Sequence, residues 1–234
     1  MRLDKFFSQT GILSRSRCAK EAKAGAITVD GAVVRDVSVS VDPDKNVIAY
    51  RGEPVEYSEY VYIVMNKPLG YVCSNDEPGE KLVFDLLDER YRRKDLFTVG
   101  RLDKETCGLI IITNDGKSAH AALSPKHHVE KTYVYTLADP LSGDDRIKLE
   151  NGIELKDGYT TKPCRIIPDD ETSGKIILSE GKYHQIRRMF AATSNKVVTL
   201  KRISFGKISL DETLAPGDSR PMTKEEINAF ISNN

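Results

Sequence analysis

The segment GRLDKETCGLIIITNDG, residues 100–116, carries most of what the sequence says about fold and chemistry. Its apolar run, Leu109–Thr113, ends in Asn-Asp-Gly, a pattern that predicts a buried strand followed by a tight turn. The residues before that run form a loop between glycines, and this loop contains Arg101 and Asp103. A strand fixes such a loop while its side chains stay exposed, so Asp103 is well placed to be a nucleophile or a base. The alternative is that Asp103 only caps the turn and Arg101 is a solvated charge.

The composition is that of an ordinary soluble globular protein, since 39% of the 234 residues are hydrophobic and 30% are charged. No apolar run approaches the roughly 18 residues that span a membrane, and the N-terminus has no apolar signal core. A cytoplasmic protein without a membrane partner is therefore expected. Four dispersed cysteines form no CxxC pair, which predicts reduced thiols and no zinc site: Cys18, Cys73, Cys107 and Cys164.

Residues 1–58 are expected to form a small separate unit. Apolar residues at helical spacing over 3–7 predict a first helix, and Ser14 is positioned to cap a second helix over 15–24. Two short apolar runs then flank Asp30-Gly31, which is the strongest short pattern for a β-hairpin. The unit is thus predicted to have the order helix, helix, hairpin.

Local charge distinguishes this N-terminal segment from the whole chain, whose formal net charge is zero. Residues 2–35 contain seven basic and three acidic residues, a local net charge of +4. Three of the basic residues share one face of the second helix, where they would contact successive phosphates of a nucleic acid. The alternative is an ordinary solvated face. The candidate phosphate-binding residues of the segment are Arg2, Arg15, Arg17, Lys20 and Lys23.

After a polar linker over residues 51–58, residues 59–234 are predicted to form a larger α+β domain. Its strands and helices do not alternate strictly, which favours a mainly antiparallel or mixed sheet over a doubly wound parallel one. The predicted strands are 61–65, 109–113, 132–137, 175–178 and 197–200. The predicted helices are 82–87, 117–123, 144–151, 184–193 and a terminal helix that begins at Thr223, with Glu226 completing a capping box.

Four motifs in this larger segment resemble those of pseudouridine synthases, in particular the small-ribosomal-subunit type. They are residues 62–72, 100–116, 130–133 and 180–190, in the order that the family shows. The helix-helix-hairpin order of the N-terminal segment is similar to the α-L RNA-binding domain of small-subunit ribosomal protein four. The resemblance implies an N-terminal RNA-binding domain over 1–58 and a pseudouridine synthase domain over 59–234.

The resemblance assigns the catalytic roles to Asp103, Tyr133 and Arg187. Asp103 aligns with the essential carboxylate of the family, and a nearby cation would keep it ionised by lowering its pKa. Arg187 aligns with the family's basic residue. Tyr133 aligns with its active-site tyrosine, whose ring can stack on a uracil and whose hydroxyl can relay a proton. Taken alone, Tyr133 is one residue of an alternating strand and could be a core residue.

Further basic residues near these motifs are candidate RNA contacts, namely Lys67, Arg101, Lys182, His184 and Arg188. The implied function is isomerisation of a specific uridine to pseudouridine in ribosomal RNA, most simply 16S RNA, with no metal and no other cofactor. The implied partner is ribosomal RNA or an assembling small subunit, and a monomer is expected. The alternatives are a synthase acting on 23S or transfer RNA and a non-catalytic RNA-binding or ribosome-assembly factor.

Overall fold

The computed structural model describes residues 1–88, 91, 95–124 and 126–232, and it divides into two compact units. The first unit consists of Met1–Val61 together with Leu87–Leu96, and the second of Tyr62–Leu86 together with Phe97–Asn234. None of the described helices is long and apolar enough to cross a membrane. The four cysteines are free thiols, and the expectation of reduced cysteines agrees with this.

The first unit packs two helices against a small antiparallel sheet. Ser14 caps the second helix by accepting a hydrogen bond from the Arg17 backbone N–H, 3.3 Å away. Asp30 and Gly31 both have positive φ, as a tight two-residue hairpin requires. The predicted order of helix, helix and hairpin is confirmed. The elements are α1 Leu3–Gln9, α2 Arg15–Lys23, β1 Ile27–Val29, β2 Ala32–Val33, β3 Ile48–Tyr50 and β4 Glu53–Pro54, with strand order β2-β1-β3-β4.

The prediction of a linker over residues 51–58 is wrong for most of that stretch. Arg51 and Gly52 have φ values of 53° and 86° and form the turn of a second hairpin, which joins β3 to β4. Val55 and Tyr57 then pack against the apolar core of the unit. The stretch is polar because its strand lies at the exposed edge of the sheet. For that reason its composition predicted a linker and not a strand.

The second unit is built on a mixed sheet of nine strands in the described part of the chain. Its neighbouring strands run antiparallel except for one parallel pair, as the sequence predicted. The strands are β5 Tyr62–Lys67, β6 Tyr71–Val72, β7 Lys81–Leu82, β8 Phe97–Thr98, β9 Cys107–Thr113, β10 Lys131–Leu137, β11 Arg165–Pro168, β12 Ser173–Leu178, β13 Val197–Phe205, β14 Ile208–Ser209 and β15 Ser219–Pro221. The sheet order is β11-β12-β10-β13-β9-β5-β15, with β14 beside β13 and β8 beside β9, while β6 and β7 form a separate pair.

Two apolar cores cover this sheet. The helices of this unit are α3 Gly116–Leu123, α4 Gly143–Asn151, α5 Gln185–Ala192 and α6 Lys224–Ile231. One core joins strand residues such as Leu109 and Ile111 to α3 and α6, and the other joins β10, β12 and β13 to α4 and α5. The second core therefore fixes the position of α5, which matters for the site described below.

Two local predictions differ from the structure. The segment predicted as a helix over 82–87 begins as strand β7 and continues as a short 3-10 helix, Val83–Leu86. The Asn-Asp-Gly at 114–116, predicted as a tight turn, leads directly from β9 into α3. Asp115 is the N-cap of α3, accepting from the Ser118 N–H at 3.1 Å and from the Tyr62 hydroxyl at 2.7 Å. Asp favours both turns and helix caps, so the local pattern did not separate them.

The two halves of the large sheet meet where β9 pairs in parallel with β13. Gly108 of β9 pairs with Arg202 of the parallel strand β13. A Cβ atom on Gly108 would lie 2.2 Å from the Arg202 carbonyl oxygen, so only glycine permits this pairing. The loop that precedes Gly108, residues 100–106, is thereby held at the junction of the two halves.

We expect Thr223→Ala to lower the free energy of unfolding by about 1 kcal/mol, because it removes the side-chain acceptor at the start of α6. Thr223 and Glu226 form the predicted capping box, with the Thr223 hydroxyl accepting from the Glu226 N–H at 3.2 Å. Thermal denaturation should show a melting temperature lower by about 2–4 °C. Thr223→Ser keeps the hydroxyl and serves as the control, and equal melting of the two variants would argue against the cap.

Candidate active site

The loop over residues 100–106 presents Asp103 at the beginning of β9. The Thr106 backbone N–H donates to the Asp103 carbonyl at 3.0 Å, which closes a turn around the carboxylate. The Gly70 N–H donates to the Lys104 carbonyl at 2.9 Å and ties the loop to the end of β5. The loop is therefore held by backbone contacts on both sides, while the Asp103 side chain remains partly exposed.

Lys67 holds the same loop from inside the protein. Its Nζ donates to the carbonyls of Pro68, Asp103 and Thr106 at 3.1, 3.1 and 2.8 Å, and the residue is fully buried. This burial lowers the pKa of Lys67 below its ordinary value. The prediction that Lys67 contacts RNA is wrong, because its position at the end of a central strand turns the ammonium group inward. Lys67 orders the loop instead.

The three predicted catalytic residues lie around one cavity. It encloses about 410 Å³, including space open to solvent, within the usual size range of ligand sites. Asp103 comes from the loop, Tyr133 from β10 and Arg187 from α5. The complete lining is Arg101, Leu102, Asp103, Thr106, Tyr133, Leu178, Lys182, Gln185, Ile186, Arg187 and Leu200.

His184 lies beside the Asp103 carboxylate. Its Nε2 lies 3.4 Å from Asp103 Oδ1, and both side chains are about one-third exposed, at 35% and 29%. His184 is the N-cap of α5 and has a left-handed backbone with φ of 47°. Sequence reasoning placed His184 among the RNA contacts, and the structure adds a direct neighbour relation to Asp103.

Arg187 lines the cavity, but its guanidinium is bonded to backbone carbonyls. Nη1 donates to the Val197 carbonyl at 3.0 Å and Nη2 to the Glu105 carbonyl at 2.8 Å. Among the described residues, no ion pair joins Arg187 to Asp103. Arg187 therefore brings its charge to the cavity and braces the loop through Glu105. Its Nε is buried and has no acceptor in the described part of the chain, which is uncommon for a buried donor.

Thr106 is a further cavity residue that sequence reasoning did not single out. Its side chain is 1% exposed, and Oγ1 has no hydrogen-bond partner among the residues that the structure describes. Buried polar atoms without partners are uncommon. Of the three found in the described residues, Thr106 Oγ1 and Arg187 Nε belong to residues that line this cavity, and Arg202 Nη2 does not. The fixed spacing between Asp103 and Thr106 in the loop motif was the available clue.

A second missed group holds the segment before α5. Gln185 is buried, accepts from the Lys182 N–H at 2.8 Å and donates to the Glu180 carboxylate. Glu180 also accepts from the Tyr159 hydroxyl at 2.6 Å and from the Lys162 N–H at 2.9 Å. This network fixes the turn that brings Lys182 to the cavity and His184 to the Asp103 carboxylate.

Lys131, two residues before Tyr133, is also buried rather than solvated. Its Nζ donates to the Ser179 carbonyl at 3.3 Å and lies 5.4 Å from the ring centre of Phe205. Burial, with a smaller contribution from Arg202, lowers the pKa of Lys131 to about 8. The residue therefore fixes β10 to the segment that follows β12, and with it the strand that bears Tyr133.

The remaining predicted RNA contacts differ in whether their side chains are exposed or paired with a carboxylate. Arg101 and Lys182 are exposed at the cavity, whereas Arg188 is paired with Asp157 at 2.5 Å. In the first unit Arg2 is paired with Asp4 at 3.0 Å. The other N-terminal candidates are exposed: Arg15, Arg17, Lys20 and Lys23. Within the described ranges, no group of three or more His, Cys, Asp and Glu side chains is arranged to hold a metal ion.

Comparisons with known proteins agree with this organisation. Residues 61–192 match the family model described as RNA pseudouridylate synthase, and residues 1–47 match the S4 domain model. The chain is 43% identical to an uncharacterized RNA pseudouridine synthase of Bacillus subtilis, over 97% of each chain. It is 42% identical to the ribosomal small subunit pseudouridine synthase A of Escherichia coli, over 99% of this chain and 100% of that protein. A crystal structure of a pseudouridylate synthase, 39% identical, superposes with a TM-score of 0.70 and covers 98% of this chain and 99% of the other.

Proposed function

Because the chain belongs to the RNA pseudouridylate synthase family and has an N-terminal S4 domain, we propose that it converts one uridine of small-subunit ribosomal RNA into pseudouridine. The resemblance inferred from the four motifs is confirmed at the level of family, fold and enzyme class. The small-subunit substrate rests on the printed names of relatives such as the Escherichia coli protein, and we extend it to this chain.

The observation that carries the proposal is the convergence of Asp103, Tyr133 and Arg187 on one cavity. A protein that only binds RNA has no need of a carboxylate, a phenol and a guanidinium around one cavity. Two lining residues, Thr106 and Arg187, each also have a buried polar atom without a partner among the described residues. Such atoms are typical of a site whose missing hydrogen bonds are supplied by a bound molecule. Uracil and ribose offer several acceptors and hydroxyls of the required kind.

Pseudouridine formation is an isomerisation, so the reaction requires no redox partner and no energy source. The bond from uracil N1 to the sugar breaks, the base turns, and a bond forms between the sugar and ring carbon C5. The proton on C5 leaves to solvent and N1 gains one. Asp103 serves this reaction as an ionised carboxylate, either by attacking the nucleoside or by promoting loss of the sugar 2′ proton.

Tyr133 and Arg187 are the other two residues to which we assign roles in the reaction. The Tyr133 ring lies in the cavity wall, where it can stack on the base, and its hydroxyl can pass a proton. The Arg187 guanidinium supplies positive charge to the cavity and, through the Glu105 carbonyl, fixes the loop that bears Asp103. We assign Thr106 Oγ1 and Arg187 Nε to hydrogen bonds with the bound nucleotide.

The target base belongs to a polymer, so the enzyme must extrude it from its stack and read it in a pocket. We assign the S4 domain the task of anchoring the RNA, with the catalytic domain beginning near residue 59. The substrate is small-subunit RNA or an assembling subunit. The enzyme then acts in the cytoplasm as a monomer.

The proposal is tested by assaying purified protein on RNA labelled with tritium at uracil C5, because each isomerisation releases that atom to water. Protein-free small-subunit RNA, partly assembled small subunits, large-subunit RNA and transfer RNA are compared as substrates. We expect stoichiometric release, close to one equivalent, from a small-subunit substrate only. Release from large-subunit or transfer RNA alone would show that this RNA, and not small-subunit RNA, is the substrate. No release from any of the four RNA substrates would favour a non-catalytic binding factor.

We expect charge reversal at Lys20 and Lys23 to weaken RNA binding and to reduce its salt dependence. Both residues are exposed on α2, so Lys20→Glu with Lys23→Glu removes two phosphate contacts. The slope of log affinity against log salt should fall by about two. The matched control reverses Lys156 and Lys207, which are exposed lysines of the second unit. An unchanged slope in the α2 variant would show that this helix face is merely solvated.

A further inference from the structure

Tyr183 is the most exposed large hydrophobic side chain in the described part of the chain, at 75%. Its ring stacks on His184, with ring centres 4.0 Å apart and planes inclined by 14°. Since His184 covers one face and most of the side chain is exposed, the other face of the Tyr183 ring is open to solvent. An aromatic face left in water gains free energy when a flat apolar group covers it.

The stack is continuous with the catalytic cavity. His184, which carries the inner ring, lies 3.4 Å from the Asp103 carboxylate through Nε2. Lys182, the residue before Tyr183, lines the cavity itself. The two stacked rings therefore lie between the Asp103 carboxylate and the solvent. A group that stacks on Tyr183 would lie next to a molecule bound in the cavity.

The turn that bears Tyr183 is held by Arg188. His184 has a left-handed backbone conformation, which is uncommon for a residue other than glycine. The Arg188 N–H donates to the His184 carbonyl at 2.9 Å and its Nη1 to the Tyr183 carbonyl at 3.3 Å. The Arg188 side chain is itself anchored on Asp157. These contacts hold the backbone from which the exposed ring projects.

We propose that the open face of Tyr183 stacks on the nucleobase next to the reacting uridine in the RNA strand. The inference rests on the proposed function, because extruding a uridine leaves its neighbour without a stacking partner. Unstacked RNA bases are commonly received by aromatic side chains, and the basic residues Arg101 and Lys182 are placed beside the cavity for the flanking phosphates. Stacking tolerates any base, so Tyr183 contributes affinity and positioning rather than base identity.

The test uses RNA decamers with one central uridine and 2-aminopurine on its 5′ or its 3′ side. The fluorescence of this purine falls when it stacks on a ring. We expect wild type and Tyr183→Phe to quench one of the two probes, and Tyr183→Ala and Tyr183→Leu to lose the quenching and to bind about tenfold more weakly. Tyr60→Ala removes another exposed tyrosine, 45% exposed, and is expected to behave as wild type.

Turnover on ribosomal RNA separates stacking from a structural role. Tyr183→Ala should raise KM about tenfold while kcat stays within a few-fold, because Asp103 and its loop are untouched. Rescue by Phe but not by Leu identifies the aromatic face as the cause. Equal quenching and equal KM in Tyr183→Ala and wild type would overturn the proposal. If wild type isomerises no ribosomal uridine, the proposed function fails, and the fluorescence result still decides whether Tyr183 stacks on a base.

Discussion

Asp103→Asn should reduce the isomerisation rate by at least about a thousandfold, as expected when a group acting only in the chemical step is removed. The amide matches the carboxylate in size and keeps the turn that the Thr106 N–H closes on the Asp103 carbonyl. It cannot ionise, so it serves neither as nucleophile nor as base. RNA affinity should stay within a few-fold of wild type, since the flanking contacts are unchanged.

The measurement is single-turnover release of tritium from C5-labelled RNA, with binding followed separately. Lys104→Gln changes an exposed residue of the same loop, whose partner is Glu80 at 2.6 Å, and is the matched control. We expect this control to retain most of the wild-type rate. An Asp103→Asn enzyme that turns over near the wild-type rate would remove Asp103 from the mechanism.

Lys67→Met should destabilise the protein and slow the reaction, although Lys67 never reaches the solvent. Methionine has similar volume but donates no hydrogen bond, so the carbonyls of Pro68, Asp103 and Thr106 each lose a buried donor. Unsatisfied buried groups cost about 1–3 kcal/mol each, and relaxation of the loop recovers part of that, which suggests about 3 kcal/mol in total. The corresponding fall in melting temperature is about 6–12 °C.

The activity of Lys67→Met distinguishes positioning from stability alone. At a temperature where the variant is fully folded, kcat should fall at least about tenfold because the loop no longer fixes the carboxylate. KM should change little, since Lys67 does not face the substrate. Lys104→Met serves as the control for removing a nearby lysine. A variant that melts like wild type and keeps its kcat would show that the three carbonyl contacts do not order the loop.

Sequence patterns predicted the structural elements that depend on one interaction between residues close in the chain. The Asp30-Gly31 hairpin, the Ser14 cap and the Thr223–Glu226 capping box were all identified because each depends on residues a few positions apart. The hairpin at Arg51-Gly52 uses similar turn chemistry but was missed, because both of its strands are short and the second of them, β4, is polar. A strand of two residues has no periodicity to detect.

Only those residues of the candidate site that belong to the family-like motifs could be predicted from the sequence. Asp103, Tyr133 and Arg187 were placed by their motifs, and the structure brings them to one cavity. The interior position of Lys67 depends on β5 pairing with β9, a contact across about forty residues that no local pattern records. The carbonyl partners of Arg187 likewise come from distant segments, around Glu105 and Val197.

The most direct test of the central claim is a map of pseudouridines in the ribosomal RNA of cells that lack the gene, compared with the same cells complemented by wild type or by Asp103→Asn. We expect one pseudouridine of the small-subunit RNA to be absent without the gene, restored by wild type and not restored by Asp103→Asn expressed to the same level. The large-subunit and transfer RNA modifications should be unchanged. An unaltered small-subunit map in the cells without the gene would contradict the proposed function, and restoration by Asp103→Asn would contradict the proposed site.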